Sequence, residues 1–395
     1  MNEVVDPNVP SQGAISEQPP APKAPGAVGI GIIGAGVISG QYLGSFHQFA
    51  DVDVRFIADK EVERARSRAE EYGIRTPEGD LAAGTVTELL AREDIEIVVN
   101  LTQPAVHAQV DLQILRAGKH VWSEKPIALD ANSSYELLDA AASAGLRLAC
   151  APDTMLGAGM QNALRAIARG DIGDPLTASL VFQTSGPESW HPSPEFLFAE
   201  GAGPLFDMGP YYLTAAVRAF GPVTDVVAVS STSRQTRVIG SGPKAGTEFP
   251  VEVPTYHAAL LTFAGGQSAQ ATFSFQNALE RPGVVEISGT EGTIVLPDPN
   301  MFDGSSQLWT LGEEEPRELP ATGAAYARGT GVVDLARSIR ADRPEQAPGA
   351  LAAHVLDVML AIRDAAQSRR VISLDASVEV PPTLPEDWDP SAATL

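Results

Sequence analysis

Three ionisable side chains of this sequence are of types suited to proton transfer, and two of them are also suitably spaced. Asp207 and Tyr211 are four residues apart, so on a helix they lie on one face. A tyrosine with its ordinary pKa of about 10 is a weak base at neutral pH, but a neighbouring cation favours the phenolate. Lys125 would be such a cation if the fold brought it close to Tyr211, and it could itself be the base if partly desolvated. We assign Lys125 and Tyr211 jointly to proton transfer and substrate-oxygen polarisation, and Asp207 to orienting the substrate or the lysine.

Each of these residues also has a plainer interpretation. Tyr211 precedes Tyr212 and could belong to the core, Asp207 could form a salt bridge on a helix face, and Lys125 by itself could be a surface lysine. The elements that position these residues decide between the interpretations.

A glycine-rich stretch follows the apolar run 28–33, which is typical of a buried strand. Gly34 permits a tight turn, and Gly36 leaves no side chain between the backbone and a pyrophosphate. The third position of the pattern is Ser39 instead of glycine, and its side chain is small enough to let helix and sheet approach. The helix that follows offers N–H groups and a partial positive charge to an anion. Strand, turn and helix in this order indicate a dinucleotide-binding site. The cofactor contacts expected here are Gly34, Gly36, Val37 and Ile38.

Asp59 stands at the carboxyl end of the second predicted strand, residues 53–58. An acidic side chain there accepts hydrogen bonds from the ribose hydroxyls and repels a 2'-phosphate. This favours NAD over NADP, although Lys60 and Arg64 follow closely. Asp59 could also cap the helix predicted over residues 60–72.

Residues 27–151 alternate between strand-like and helical segments. They include a short helix capped by Thr87, a strand over 95–100, and a helix that begins at Pro104 and stops at Gly118. Buried strands that alternate with helices predict an α/β domain with a doubly wound parallel sheet, the Rossmann architecture.

Residues 152–395 have a different pattern. Strand-like runs with glycine-rich turns predict an α+β domain with a mostly antiparallel open sheet, to which helices add a covering layer. The predicted strands are 176–185, 223–233, 251–263, 268–276 and 284–288, and the predicted helices are 156–169, 205–220, 332–340 and 351–367.

Five motifs in register resemble the glucose-fructose oxidoreductase/inositol dehydrogenase (Gfo/Idh/MocA) family. The motifs are Gly34-Ala35-Gly36, Asp59, Thr102-Gln103-Pro104 with His107, Glu124-Lys125-Pro126, and residues 201–211, GAGPLFDMGPY. The resemblance covers nearly all of the chain after the first 26 residues. It implies that Lys125 lies beside the nicotinamide, and that Asp207 and the residue four later line the substrate pocket. That later residue is commonly histidine in the family and is Tyr211 here, as in some of its sugar oxidoreductases.

The same resemblance extends the expected cofactor site beyond the glycine-rich turn. The added residues are Thr102, Gln103, Pro104, His107, Glu124 and Lys125. His107 could instead be a structural histidine, and we do not expect it to be catalytic.

The proline-broken segment 188–194 carries Trp190 and His191 shortly before Asp207. An indole can stack on a sugar ring and an imidazole can hydrogen-bond to hydroxyls, so this segment is a candidate wall of the substrate site. Trp190 could also simply fill a crevice. The predicted substrate-binding residues are Asp153, Thr154, Trp190, His191, Asp207 and Tyr211.

Composition narrows the class of protein. The 395 residues suffice for two domains, and the single cysteine, Cys150, excludes an intramolecular disulfide and a multi-cysteine metal site. The six histidines show no paired ligand spacing, so we expect no metal. A net charge of -23 argues against a nucleic-acid partner.

Residues 1–26 are rich in proline and lack the pattern of a signal peptide. We expect a disordered tail or, alternatively, an arm that docks on a neighbouring subunit. No apolar run reaches the roughly 18 residues that span a bilayer, so we expect a cytoplasmic protein without membrane contact. The open sheet predicts a homodimer or homotetramer.

The sequence therefore favours a NAD-dependent dehydrogenase that oxidises a secondary hydroxyl of a sugar, cyclitol or glycoside. One alternative is an NADP-linked aldose or dihydrodiol oxidoreductase, and another is a dinucleotide-binding regulator without turnover. The presence of Lys125, Asp207 and Tyr211 together argues against the regulator, because a sensor needs no proton-transfer groups.

Overall fold

The computed structural model describes residues 22–323, 327–375 and 377–395, which form two compact units. Residues 22–156, Gly323–Ala353 and Asp387–Leu395 form the first unit, and Gly157–Thr322 with His354–Glu386 form the second. The predicted tail lies outside the described residues as far as residue 21.

The first unit is built on a six-stranded parallel sheet with the order β3-β2-β1-β4-β5-β6. Every residue of the first strand is buried, as expected for a parallel strand covered on both faces. The strands are β1 Val28–Ile33, β2 Val52–Ala58, β3 Ala83–Gly84, β4 Ile97–Asn100, β5 His120–Ser123 and β6 Leu148–Cys150. The helices between them are α1 Val37–Phe46, α2 Val62–Glu71, α3 Val86–Leu90, α4 His107–Arg116 and α5 Ala131–Ala144.

Three helix starts of the first unit differ from the prediction. Helix α2 begins at Val62, with Glu61 and not Asp59 in the N-cap position. Thr85, and not Thr87, caps α3: its hydroxyl accepts the N–H of Glu88 at 3.2 Å, and the Glu88 carboxylate accepts the N–H of Thr85 at 2.7 Å. This reciprocal pair requires a glutamate three residues after the cap, and only Thr85 has one there. Pro104 begins a short 3-10 turn, and the α-helix proper starts three residues later at His107.

The second unit is built on a nine-stranded sheet with the order β16-β15-β14-β13-β7-β12-β11-β8-β17. Among the described strands, β7 and β12 pair in parallel and the other neighbours pair antiparallel. The strands of this half of the chain are β7 Pro175–Gln183, β8 Val223–Ser231, β9 Thr236–Val238, β10 Glu248–Pro250, β11 Tyr256–Phe263, β12 Ser268–Ser274, β13 Arg281–Gly289, β14 Gly292–Val295, β15 Ser306–Thr310, β16 Arg317–Leu319 and β17 Ile372–Ser373. The helices are α6 Ala158–Ala168, α7 Gly203–Phe220, α8 Thr330–Ala341 and α9 Gly349–Ser368. Strands β9 and β10 form a separate two-stranded hairpin. This architecture confirms the predicted fold class.

One face of the large sheet is covered and the other is open. Helix α7 packs against β7, β11 and β12. On the open face, Val229 and Leu260 are 61% and 63% exposed, while alternate residues of β11 are buried. A half-covered sheet of this kind has the alternation typical of antiparallel strands.

Helix α8 differs from the expectation that it would cover the second sheet. It belongs to the first unit, where a Cβ on Gly331 would lie 2.0 Å from the indole of Trp122. The apolar face of a helix shows that the helix is covered, but not which sheet covers it. The first unit is therefore discontinuous in sequence, and the division into functional domains at 27–151 and 152–395 stays a proposal.

Candidate functional site

The glycine-rich turn joins β1 to α1, and a side chain at its two glycine positions would meet different surroundings. Gly34 has a φ of +106°, and a Cβ on it would lie 2.7 Å from the carbonyl oxygen of Leu101. A Cβ on Gly36 would meet nothing within 4 Å. The protein therefore does not require glycine at position 36, whereas a closely bound phosphate does. Ser39 is fully buried and its hydroxyl donates to the Gly36 carbonyl at 2.7 Å, so serine fits the third position.

The two apolar residues that begin α1 border this turn. Val37 is 86% exposed and Ile38 is half-buried, although both are apolar. Their exposure beside the turn is compatible with the predicted cofactor contacts.

The carboxylate of Asp59 is held at the end of β2 beside this turn. Its Oδ2 accepts the N–H of Ala35 at 2.8 Å, and its Oδ1 accepts the N–H of Glu61 at 2.9 Å. Asp59 is only 7% exposed, and Arg64 Nη1 lies 4.0 Å from Oδ2. Because each carboxylate oxygen has a second lone pair, the group can hold the turn and still accept a ribose hydroxyl.

Buried polar contacts connect the turn after β4 to the turn after β5. The ring nitrogens of His107 lie 2.8 Å from the Pro126 carbonyl oxygen and 2.9 Å from the Thr102 carbonyl oxygen. Asn100 accepts the N–H of Thr102 at 3.1 Å and donates to Asp111 Oδ1 at 2.7 Å. Burial raises the pKa of Asp111 to about 6, and the charge of His107 opposes that shift.

Asn100 and Asp111 were not singled out by the sequence, because nothing in their local pattern distinguishes them from other polar residues. His107 is 1% exposed, and these contacts favour the structural interpretation of it. In the turn after β4, Gln103 is exposed and Pro104 is half-buried, so both remain candidate cofactor contacts.

Lys125 follows β5 at a cis peptide bond to Pro126. The Glu124 carboxylate accepts the N–H of Lys125 at 3.1 Å and the hydroxyl of Tyr42 at 2.7 Å. Trp122 in turn donates its indole N–H to the Tyr42 oxygen at 3.1 Å. Trp122 and Tyr42 thus orient the carboxylate of Glu124, which in turn holds the backbone of Lys125. The sequence analysis did not identify Tyr42.

Asp153 is fully buried among residues of the first unit. Its carboxylate accepts the N–H of Gly329 at 2.7 Å and lies 3.2 Å from Arg328 Nη1. Burial raises the pKa of Asp153 to about 6, and the charge of Arg328 opposes that shift. Thr154 is also fully buried. These contacts favour a structural role for Asp153, and substrate binding by Asp153 and Thr154 stays a prediction.

In the second unit, α7 carries Asp207 and Tyr211 one turn apart, as predicted. Asp207 is half-buried and Tyr211 is 5% exposed. The neighbouring Tyr212 has a structural role, because its oxygen accepts the N–H of Gly283 at 2.7 Å. Burial raises the pKa of Tyr212 well above its ordinary value.

Trp190 and His191 belong to the same unit as Asp207. Their rings meet edge to face with centroids 5.5 Å apart, and the His191 ring also meets Phe196 at 5.4 Å. Burial lowers the pKa of His191, and the negative charge of Asp207 opposes that shift. His191 Nδ1 accepts the N–H of Ser193 at 3.0 Å, which leaves Nε2 as the donor of the neutral ring.

Across residues 22–323, 327–375 and 377–395, no cluster of three or more His, Cys, Asp or Glu side chains is arranged to hold a metal ion. In the same part of the chain, no helix has the length and apolar character needed to cross a membrane.

Comparison with known proteins places the chain beside NAD-binding oxidoreductases. Residues 28–151 match the family described as "Oxidoreductase family, NAD-binding Rossmann fold", and residues 160–295 match the "GFO/IDH/MocA C-terminal domain". The trans-1,2-dihydrobenzene-1,2-diol dehydrogenase of Bos taurus is 27% identical over 73% of this chain and 79% of its own.

Two solved structures share the fold. Levoglucosan dehydrogenase in complex with NADH and L-sorbose has a TM-score of 0.75 at 21% identity, over 88% of this chain and 99% of its own. The aldose-aldose oxidoreductase of Caulobacter crescentus, complexed with glycerol, has a TM-score of 0.74 at 24% identity, over 88% of this chain and 100% of its own. Fold, glycine-rich turn and matched segments agree: the chain belongs to the Gfo/Idh/MocA family and is an NAD(P)-dependent oxidoreductase.

Proposed function

We propose that the protein is a NAD-dependent dehydrogenase that oxidises a secondary hydroxyl of a sugar, cyclitol or glycoside. The observation that carries this proposal is that the second unit contains both the Trp190–His191 ring pair and helix α7 with Asp207 and Tyr211 one turn apart. It combines an aromatic surface for a ring with donors and acceptors for hydroxyls. Segment 187–198 contains no arginine or lysine to hold a carboxylate or phosphate, which favours a neutral polyol.

The names of the structural relatives support this substrate class. One is a levoglucosan dehydrogenase with bound L-sorbose, and the other is an aldose-aldose oxidoreductase with bound glycerol. Each of those bound molecules is polyhydroxylated and uncharged.

In the proposed chemistry, the nicotinamide accepts a hydride from the carbinol carbon. Lys125 and Tyr211 take the hydroxyl proton and polarise the oxygen, and Asp207 orients the substrate or the lysine. The indole of Trp190 stacks on the ring, and His191 donates from Nε2 to a substrate oxygen.

The first unit would hold the cofactor through the glycine-rich turn and Asp59. Gly36 leaves room for the pyrophosphate, and Asp59 would accept the ribose hydroxyls. Other candidate contacts are Gly34, Val37, Ile38, Thr102, Gln103, Pro104, His107, Glu124 and Lys125. The buried carboxylate of Asp59 is the reason for proposing NAD.

An NADP-linked aldose or dihydrodiol oxidoreductase is the second candidate. The dihydrodiol dehydrogenase among the relatives favours it, and so does the guanidinium of Arg64 close to Asp59, which could receive a 2'-phosphate.

The test is incubation of the protein with NAD or NADP and a panel of polyols, aldoses and dihydrodiols, followed through the absorbance of the reduced nicotinamide. The proposal expects turnover of ring polyols with NAD. Turnover confined to dihydrodiols with NADP would support the second candidate, and a preference for 2-hydroxy acids or sugar phosphates would refute the proposed pocket.

We also propose a homodimer or homotetramer, formed through the open face of the nine-stranded sheet. A cytoplasmic location stays a prediction.

A further inference from the structure

A hairpin of the second unit lies against the aromatic segment of the proposed substrate site. The hairpin consists of β9, β10 and their connection, residues 236–250, and we call residues 187–198, which carry Trp190 and His191, the wall segment. Neither belongs to the nine-stranded sheet. The position of the wall segment therefore depends on other contacts, and the hairpin supplies several of them.

Arg237 anchors the hairpin beneath the wall segment. It is 4% exposed, and its guanidinium pairs with Glu188 and lies 5.5 Å from the ring centroid of Phe198. The same group donates to the carbonyl oxygens of Ser185 at 3.0 Å and Phe275 at 2.7 Å. One buried cation thus contacts both ends of the wall segment and the strand-end backbone beside it.

The tip of the hairpin contacts the middle of the wall segment. The N–H of Gly240 donates to the Glu188 carbonyl at 2.7 Å, and the hydroxyl of Ser241 donates to the Trp190 carbonyl at 2.6 Å. Gly242 has a φ of +71°, and a Cβ there would lie 2.6 Å from Pro192 Cβ. The backbone that carries the indole is therefore held from one side by three consecutive hairpin residues.

We infer that this hairpin is a positioning clamp that sets the placement of the Trp190 and His191 rings, and so makes the site selective for ring-shaped polyols over short acyclic ones. The inference rests on the proposed function for the identity of the ligand. Arg237 and Ser241 are its positioning residues, since they act on substrate through the wall segment. A stacked ring requires the indole in one place, whereas a three-carbon polyol does not depend on that surface.

The test compares Arg237→Met with Arg234→Met, because Arg234 is an exposed arginine three residues upstream. Ser241→Ala is a milder variant in case Arg237→Met folds poorly, and its control is Thr247→Ala, which removes an exposed hydroxyl from the same hairpin. Arg237→Lys, which keeps the charge, should restore part of the wild-type behaviour. Amide hydrogen exchange of residues 187–198 is measured without substrate, and kcat/KM is measured with myo-inositol, glucose, levoglucosan and glycerol.

The expected result for Arg237→Met is an exchange rate in the wall segment raised by about tenfold or more, with unchanged exchange in the first unit. Its kcat/KM for the ring probes should fall about tenfold, while the value for glycerol and the Kd for NAD stay near those of Arg234→Met. Equal losses for ring probes and glycerol would indicate general damage and overturn the inference.

The exchange experiment keeps the inference separate from the proposed function. Unchanged exchange of the wall segment in both Arg237→Met and Ser241→Ala would overturn the clamp whatever the substrate is. Faster exchange in a protein whose wild type oxidises no polyol would support the clamp and refute the proposed function together with the ring selectivity.

Discussion

Asp59 has two tasks at the end of β2, because its carboxylate holds Ala35 and Glu61 and is also the proposed ribose acceptor. We predict that the wild type binds NAD more tightly than NADP, and that Asp59→Ala narrows this gap. Loss of hydrogen bonds to a charged acceptor, roughly 1.5–3 kcal/mol, should weaken NAD binding by about tenfold or more. Titration with both cofactors measures this, with Asp53→Ala on the same strand as the control. Equal or tighter binding of NADP by the wild type would contradict the assignment.

Lys125 and Tyr211 carry the proposed proton transfer. Lys125→Ala should lower kcat by about 100-fold or more, the usual scale for a general acid-base group, with NAD binding still measurable. Tyr211→Phe should act in the same direction but less severely. Steady-state kinetics on the identified substrate provide the measurement. A kcat equal to that of the wild type in both variants would refute the assignment of proton transfer to these two residues.

Tyr212 is the matched control for Tyr211. It is the adjacent residue and has the same side chain, but it has no role in the proposed proton transfer. Its oxygen accepts the N–H of Gly283, so Tyr212→Phe should leave kcat nearly unchanged and reduce stability by about 1–3 kcal/mol. A large loss of kcat in Tyr212→Phe with unchanged stability would remove the basis for choosing Tyr211.

At the scale of elements, the role of the wall segment can be tested through Trp190. Trp190→Ala should lower kcat/KM for sugars or cyclitols far more than it weakens NAD binding, because the stacked ring loses its orientation. The control is Leu311→Ala, which truncates an exposed apolar side chain of the same unit. Kinetics and NAD titrations are measured on the same variants. An equal loss of kcat/KM and of NAD affinity in Trp190→Ala would refute the stacking role.

A second element, the C-terminal segment 387–395, is attached to the first unit through Asp51. The Asp51 carboxylate lies 2.7 Å from Arg337 Nε and accepts the N–H groups of Thr394 and Leu395 at 2.8 and 3.1 Å. Burial acts to raise the pKa of Asp51, but the hydrogen bonds from Thr394 and Arg337 outweigh it and the pKa is lowered. A carboxyl whose pKa is depressed on folding contributes stability above its unfolded pKa of about 3.9 and loses it as the pH falls through the folded value.

Asp51→Asn should therefore destabilise the protein at neutral pH by about 3–5 kcal/mol, because Arg337 is left as an unpaired buried charge. Thermal unfolding from pH 8 downward should show the difference from wild type shrinking below about pH 4. Asp53→Asn makes the same chemical change at a half-exposed position two residues away and should have little effect. A destabilisation by Asp51→Asn that did not depend on pH would contradict the ionic account.

At the scale of the whole molecule, the open face of the nine-stranded sheet predicts self-association. Val227, Val229 and Leu260 lie side by side on β8 and β11, and an exposed apolar surface of this kind marks an interface. Light scattering at micromolar concentration should give the mass of a dimer or tetramer, and Leu260→Glu should shift it towards the monomer. Leu279→Glu, at an exposed position outside the strands, is the control.

A monomeric wild-type mass would refute the assembly. A version that lacks residues 1–26 tests the tail, since an arm that docks on a neighbouring subunit should raise the association affinity and a disordered tail should not.

Local pattern was enough to predict the fold class and the position of the glycine-rich turn. Gly34 has the positive φ that a tight turn requires, and Asp59 lies directly after a strand; both features are visible in a few neighbouring residues. The glycine at position 36 belongs to the same local pattern, and the approach of a pyrophosphate to it stays a proposal. Apolar runs likewise identified β1, β2 and β4 of the first sheet, and strand-like runs identified β7, β8, β11, β12 and β13 of the second, whereas β14 to β17 were not predicted. The expected strand over 251–263 begins later, at Tyr256, since Pro254 has no N–H to donate to a ladder.

By itself, then, the sequence determined the two kinds of sheet, the dinucleotide turn and the residue types available for proton transfer, because periodicity and backbone requirements are properties of adjacent residues. Only the tertiary structure decided which sheet α8 covers, that Tyr42 orients Glu124, and that Arg237 holds the wall segment from 49 residues beyond Glu188. These are contacts between residues far apart in the chain. A buried charge or hydroxyl must find a partner, but the partner is chosen by the packing of elements, and no local pattern records that choice.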